Sequence, residues 1–181
     1  MPAIDVLKSD GSLLYRKPTD KPFDITLWLP SKLNSAKVDF DRRLADIEWK
    51  LRIAEAYEAL DELRHNIQVR THVYKFKDQF TRGQAANTRA RNSIETINAK
   101  IRSSRDKYRA ARMALISLSD MLGQTDWQSK LPILAESDMR GISEGEDGDS
   151  EGRKRLSWIW KVMGVAGEED GDLHLRDCES D

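Results

Sequence analysis

The sequence predicts an all-α protein: a long antiparallel helical hairpin, coiled-coil-like, with an extended N-terminal arm and a short C-terminal docking helix. Three observations predict it. All five prolines lie outside Ser31–Leu131, and only Gly83 and Gly123 interrupt that block, so helix breakers sit at its ends and at one turn. Inside the block, apolar residues recur at steps of three and four, the spacing of one helix face. Of 181 residues, 39% are apolar, 34% charged and only 7% aromatic, so apolar side chains are spread thinly, as in an elongated helical object.

Residues 1–35 form the arm. Pro2, Pro18, Pro22 and Pro30 exclude a long helix, while Phe23, Ile25, Leu27 and Leu29 alternate in a strand-like pattern that has no partner strand. Two readings stay open: an arm that lays Trp28 and Leu29 on a helix, and a disordered leader. Residues 36–122 form the hairpin, with helices over about 36–80 and 84–122. In the first helix Phe40, Leu44, Ile47, Leu51 and Ala54 set one phase, and Ile53, Ala56, Leu60, Leu63 and Ile67 set another, so the stripe drifts around the helix. Thr71 and Tyr74 extend it weakly. Thr81-Arg82-Gly83-Gln84 makes the turn. The second helix carries a regular heptad seam of Ala90, Ile94, Ile97, Ile101, Ser104, Tyr108, Ala111, Leu115, Leu118 and Leu122, stopped by Gly123. At about 1.5 Å per residue the hairpin is roughly 50 Å long.

Residues 123–152 read as a flexible acidic linker, because Glu136–Glu151 sets seven acids against Arg140 and contains Gly141, Gly145 and Gly148. Residues 153–164 form the short helix, with Leu156, Ile159, Trp160 and Met163 on one face. Trp158 and Trp160 anchor it, on a partner or, as the commoner use, back on the hairpin. Residues 165–181 form an acidic disordered tail.

Most chemistry is excluded by residue type or spacing. The Gly141–Gly148 stretch is studded with carboxylates and leads into no Gly-Lys-Ser/Thr, so it cannot cradle a phosphate. Glu168, Asp170, Asp172 and Glu179 approach calcium-loop spacing, but Leu173 stands where the sharp turn needs glycine. His65 and His72 lie about 10 Å apart along one helix, and His174 with Cys178 makes only two ligands. One cysteine excludes an internal disulfide. No nucleophile, base and orienting group share a recognisable spacing, so the expectation is no catalysis, no cofactor, no metal and no small-molecule substrate. Nor is there a run of about 18 apolar residues to cross a membrane or an apolar leader, which implies a reducing, intracellular compartment.

Charge is the strongest local feature. Lys+Arg and Asp+Glu nearly cancel, at 30 and 31, but Arg82–Arg112 holds nine bases against Glu95 and Asp106. Arg102, Arg105, Arg109 and Arg112 form a stripe beside the heptad seam which, with Arg89 and Arg91, is the candidate for non-specific DNA contact. Ion pairing across the hairpin accounts for the same arginines, and the electrostatic balance favours it. A turn centred near residue 80 sets Glu58 opposite Arg102, Glu55 opposite Arg105 and Glu48 opposite Arg112. The acidic stretches are expected to shield the stripe. The heptad seam offers a second use, pairing with another copy or another helical protein.

Three segments carry a family resemblance: Gly83-Gln-Ala-Ala-Asn-Thr-Arg-Ala-Arg91, Arg105-Asp-Lys-Tyr-Arg-Ala-Ala-Arg-Met-Ala-Leu115 and Ser150-Glu-Gly-Arg-Lys-Arg-Leu-Ser-Trp-Ile-Trp160. With Leu44–Arg64 before them, they resemble, in the same order, the helical region downstream of the catalytic core in KDZ (Kyakuja-Dileera-Zisupton) transposases. These are large fungal proteins often associated with a cysteine-cluster domain. The resemblance spans about Ser31–Met163. It implies a transposase-derived accessory module, a relic or fragment with a nuclear setting, that aids assembly or DNA contact. The family's RNase-H-like core, with its acidic residues and divalent metal, has no counterpart here, and neither has the cysteine cluster. No catalytic or DNA-binding residue therefore carries over to this chain.

Overall fold

The computed structural model describes residues 27–142 and 156–162, and every regular element among them is helical. In chain order these are α1 (Pro30–Ser35), α2 (Arg42–Phe80), α3 (Gln84–Leu122) and α4 (Trp127–Lys130), followed by the 3₁₀ turns Glu136–Asp138 and Trp158–Trp160. The two long helices pack against each other as the expected hairpin. Each has 39 residues, about 58 Å at 1.5 Å per residue.

Local chemistry sets the boundaries. Asp41 caps α2, its carboxylate accepting from the Arg43 amide at 2.9 Å. Thr81 leaves α2 in an extended conformation, and Gly83, at φ 86° and ψ 156°, reverses the chain where a side chain would be strained. Gly123 closes α3 in the left-handed region at φ 68°, with the Gln124 amide donating to the Ser119 carbonyl.

The N-terminal boundary corrects the sequence reading. Pro30–Ser35 is a helix rather than the end of an extended arm, and α2 starts at Arg42 rather than near residue 36. Between them α1 ends in a Schellman motif: the Val38 amide donates to Leu33 O and the Lys37 amide to Asn34 O, with Lys37 itself left-handed at φ 56°. Glycine usually marks this motif, so a lysine there leaves no signal in the sequence. Three polar groups hold α1 in place. Glu48 accepts from the Ser31 amide at 2.8 Å and from the Ser31 hydroxyl at 2.7 Å, and the Ser117 hydroxyl donates to Ser31 O at 2.8 Å. Residues 1–26 of the arm lie outside the described residues.

The α3 seam is buried at seven of its ten expected positions, Ile94, Ile101, Ser104, Tyr108, Ala111, Leu115 and Leu118, while Ala90, Ile97 and Leu122 are only partly covered. On α2 the later phase is buried through Ala56, Leu60, Leu63 and Ile67, whereas the earlier one faces outward: Leu44, Ile47 and Leu51 are 40%, 56% and 63% exposed. Ala45 and Glu48 take the inward positions, because α1 packs on that side and supplies partners for the carboxylate.

The larger correction concerns residues 123–152. Their described part, to residue 142, is a packed strap rather than a flexible linker. Trp127, Leu131 and Leu134 are buried in one core with Leu60, Tyr108 and Leu115. Ile159 is buried in the same core, Trp158 packs on Tyr108 at 6.1 Å between ring centroids, and Trp160 Nε1 donates to Arg140 O at 3.0 Å. The tryptophan segment thus docks on its own hairpin, as a single 3₁₀ turn where a helix was expected. Residues 143–155 and 163–181, including Met163, the calcium-like carboxylates, His174, Cys178 and the acidic tail, lie outside the described residues.

Candidate nucleic-acid interface

The arginine stripe divides once the strap is in place. Arg112 Nε donates to Leu131 O at 3.1 Å, and its guanidinium lies 5.5 Å from the Trp127 ring centroid. Arg109 donates to Leu134 O at 2.9 Å and to Glu136 at 3.1 Å. Arg105 pairs with Glu136 at 3.1 Å and with Asp106 at 2.9 Å, a hydrogen bond that holds the Asp106 carboxyl below its ordinary range. Tyr108, on the seam between them, donates to Pro132 O at 2.6 Å, and burial pushes its phenol well above the ordinary value. Three arginines of the four are therefore a rail for the strap. The fourth, Arg102, bonds Glu95 at 2.8 Å and stays about half exposed.

None of the three expected cross-hairpin ion pairs forms. Glu48 and Glu55 both bond Arg52, at 3.2 and 2.6 Å, and Glu58 accepts from Lys107 at 2.9 Å. The turn is centred on Arg82 rather than near residue 80, and this advances the opposing register. Ser104 consequently reaches Glu62 at 3.3 Å, and Lys107 reaches both Glu58 and Glu62. Hydrogen bonding to Glu58 raises the Lys107 ammonium above its ordinary range. Arg52 is raised too: burial works against its charge, but the bonds to Glu55 and Glu48 outweigh it.

Arg89 and Arg91 stand apart from all of this. They belong to the distal third of the hairpin, residues 68–93, where no described side chain is buried. This stretch carries six Lys and Arg against Asp78. Lys75, Lys77, Arg82, Arg89 and Arg91 have no acidic partner among the described residues. Between the helices near the turn, Lys77, Asn87, Thr88 and Arg91 line a polar cavity of about 490 Å³. Phe76 and Phe80 are 62% and 67% exposed, one helical turn apart, with ring centroids 5.2 Å from each other. Lys75, Lys77, Phe76 and Phe80 did not stand out in the sequence because no heptad or motif includes them. The available signal was the alternation Tyr74-Lys75-Phe76-Lys77.

His65 and His72 are both exposed, and among the described residues no group of three or more His, Cys, Asp or Glu side chains could hold a metal ion. No described helix is long and apolar enough to cross a membrane. Comparison with family models, curated proteins and solved structures found no match to this chain.

Proposed function

We propose that this chain is a non-catalytic helical module that contacts nucleic-acid phosphates without reading sequence, through the distal third of its hairpin. One observation carries the reading: five basic side chains in that third lack acidic partners among the described residues, while Arg105, Arg109 and Arg112 are committed to the strap. A duplex presents a negative charge about every 1.7 Å, so unpaired cations along two helices gain from displacing its counterions. The likeness to the KDZ helical region gives this reading a setting: an accessory module, transposase-derived, whose chemistry lies elsewhere.

Gel retardation of duplex DNA at low ionic strength tests it. Binding is expected to weaken with salt, the log–log slope falling by about 0.9 for each phosphate contact removed. Charge reversal at Arg82, Arg89 and Arg91 should weaken retardation, whereas reversal at Arg105, Arg109 and Arg112 should lower stability first. Absence of retardation by the intact chain sinks the proposal.

A protein–protein scaffold is the second reading, favoured by the exposed stripe Leu44, Ile47 and Leu51. The α3 seam faces α2, so a partner helix would use this stripe instead. Sedimentation should then show an oligomer that Ile47→Asp and Leu51→Asp dissolve. A strict monomer removes the reading.

A further inference from the structure

We infer that the distal end binds single-stranded nucleic acid in preference to duplex; this rests on the nucleic-acid reading above and names its substrate. Phe76 and Phe80 touch each other at 5.2 Å with their planes inclined by 38°, and both remain mostly in water. No buried side chain lies between residues 68 and 93, so the pair supports no core. Tyr74, 42% exposed, stands one turn before the alternation reaches Lys77.

Charge decides what can use such rings. An acidic or apolar protein face would cover either the cations or the rings, whereas a single nucleic-acid strand supplies phosphates for the first and base faces for the second. Duplex bases are stacked on one another and present no open face to a side chain, so a duplex engages the cations alone. In unpaired strands each base offers a π-face, and stacking on an aromatic side chain tolerates any sequence.

The placement of the groups fits one strand running over the turn. Lys77 follows Phe76 directly, about 100° round the helix. It lines the polar cavity with Arg91 of the opposite helix, and Asn87 and Thr88 add further polar side chains to the wall. A backbone phosphate seated between Lys77 and Arg91 would leave neighbouring bases beside the Phe76–Phe80 pair. Arg82 and Arg89, both exposed, extend the basic surface through the turn.

The test uses the full chain and a fluorescently labelled mixed-sequence oligonucleotide, free and annealed to its complement, with anisotropy read in the same low-salt buffer. The single strand should bind roughly tenfold or more tighter than the duplex, on the scale of one stacked base. Phe76→Leu with Phe80→Leu keeps the apolar bulk and removes the rings; it should bring the single strand down to duplex affinity and leave duplex binding unchanged. Unchanged helical circular dichroism is the folding control for this pair, since both side chains are exposed. Arg82, Arg89 and Arg91 reversed to Glu should weaken both forms. Equal wild-type affinities, or a strand preference that survives the leucine variant, would overturn this inference while leaving phosphate contact standing. If neither form binds, the reading beneath it fails as well.

Discussion

The two ends of the hairpin are built from the same two helices and behave differently. From Ala45 to Ile67 on α2 and from Ile94 to Ser119 on α3, side chains are buried, and α1 and the strap lie against the helices. From residue 68 to residue 93 nothing is buried. Helical spacing continues through both, so periodicity does not separate them. A third layer does. Two helices alone cover only one narrow stripe of each other, and Leu131, Leu134 and Ile159 close the groove that would otherwise be wet. Where the strap ends, the helices turn polar, as the Lys77, Asn87 and Arg91 cavity shows.

The largest expected effect breaks the clad end. Leu131→Ala removes a fully buried side chain from the strap and should cost about 2–5 kcal/mol, read as a fall in denaturation midpoint. Val73→Ala in the distal third should cost no more than about 0.5 kcal/mol. Native-state hydrogen exchange sharpens the same contrast: amides around Leu60 and Leu115 should be the slowest, and those from residue 70 to residue 92 should exchange through local opening. Uniform protection along α2 would contradict it.

Gly83→Ala comes next. With φ 86° and ψ 156° this backbone suits glycine alone, and no heavy atom lies within 4 Å of an added Cβ. The cost is therefore backbone strain of about 1–3 kcal/mol. Because the turn borders an unburied region, strain there should show as faster exchange near residues 78–88 before it lowers the global midpoint.

Arg112→Ala tests the rail. It loses the bond to Leu131 O and the stacking on Trp127, and should cost about 1–2 kcal/mol. Arg102→Ala, whose partner is the exposed Glu95, should fall within about 0.5 kcal/mol. Equal effects would mean that the strap does not depend on the stripe.

The smallest effect concerns shielding. Glu136 is the acid that meets both Arg105 and Arg109, so Glu136→Gln removes the charge facing two cations and leaves Arg105 on Asp106 and Arg109 on Leu134 O, without removing the strap. Duplex affinity should rise a few-fold at low salt, with a slope steeper by at most about one or two contacts. No change would show that the stripe does not contribute to binding. Cutting the chain after Pro132 is a poorer test, because it also deletes Leu134 and Ile159 from the core.

Much of this fold was legible in the residues. The α3 seam from Ile94 to Leu118 was readable because large aliphatics keep a strict three-four rhythm, and Gly83 and Gly123 mark backbone conformations that other residues avoid. The break at Ala36–Asp41 was not readable, since lysine occupies the left-handed position. Nor was the exposure of Leu44, Ile47 and Leu51. Alternating phases on α2 give two faces of similar apolar weight, and which one is buried depends on where α1 lies. The candidate interface was half legible: Arg89 and Arg91 stood in the basic run, while Arg105, Arg109 and Arg112 looked identical to them.

The sequence by itself therefore determined the helices, their turn and the seam of α3, because spacing, glycine and proline act through neighbours a few residues away. Only the tertiary structure decided the register, the outward face of α2, and which cations lack an acidic partner among the described residues. Those outcomes depend on contacts such as Arg109 with Glu136 and Arg112 with Leu131, between residues 27 and 19 positions apart. Periodicity has no term for the path of a strap that lacks a helical repeat, so nothing local signals that Trp127, Leu131 and Ile159 will share one core.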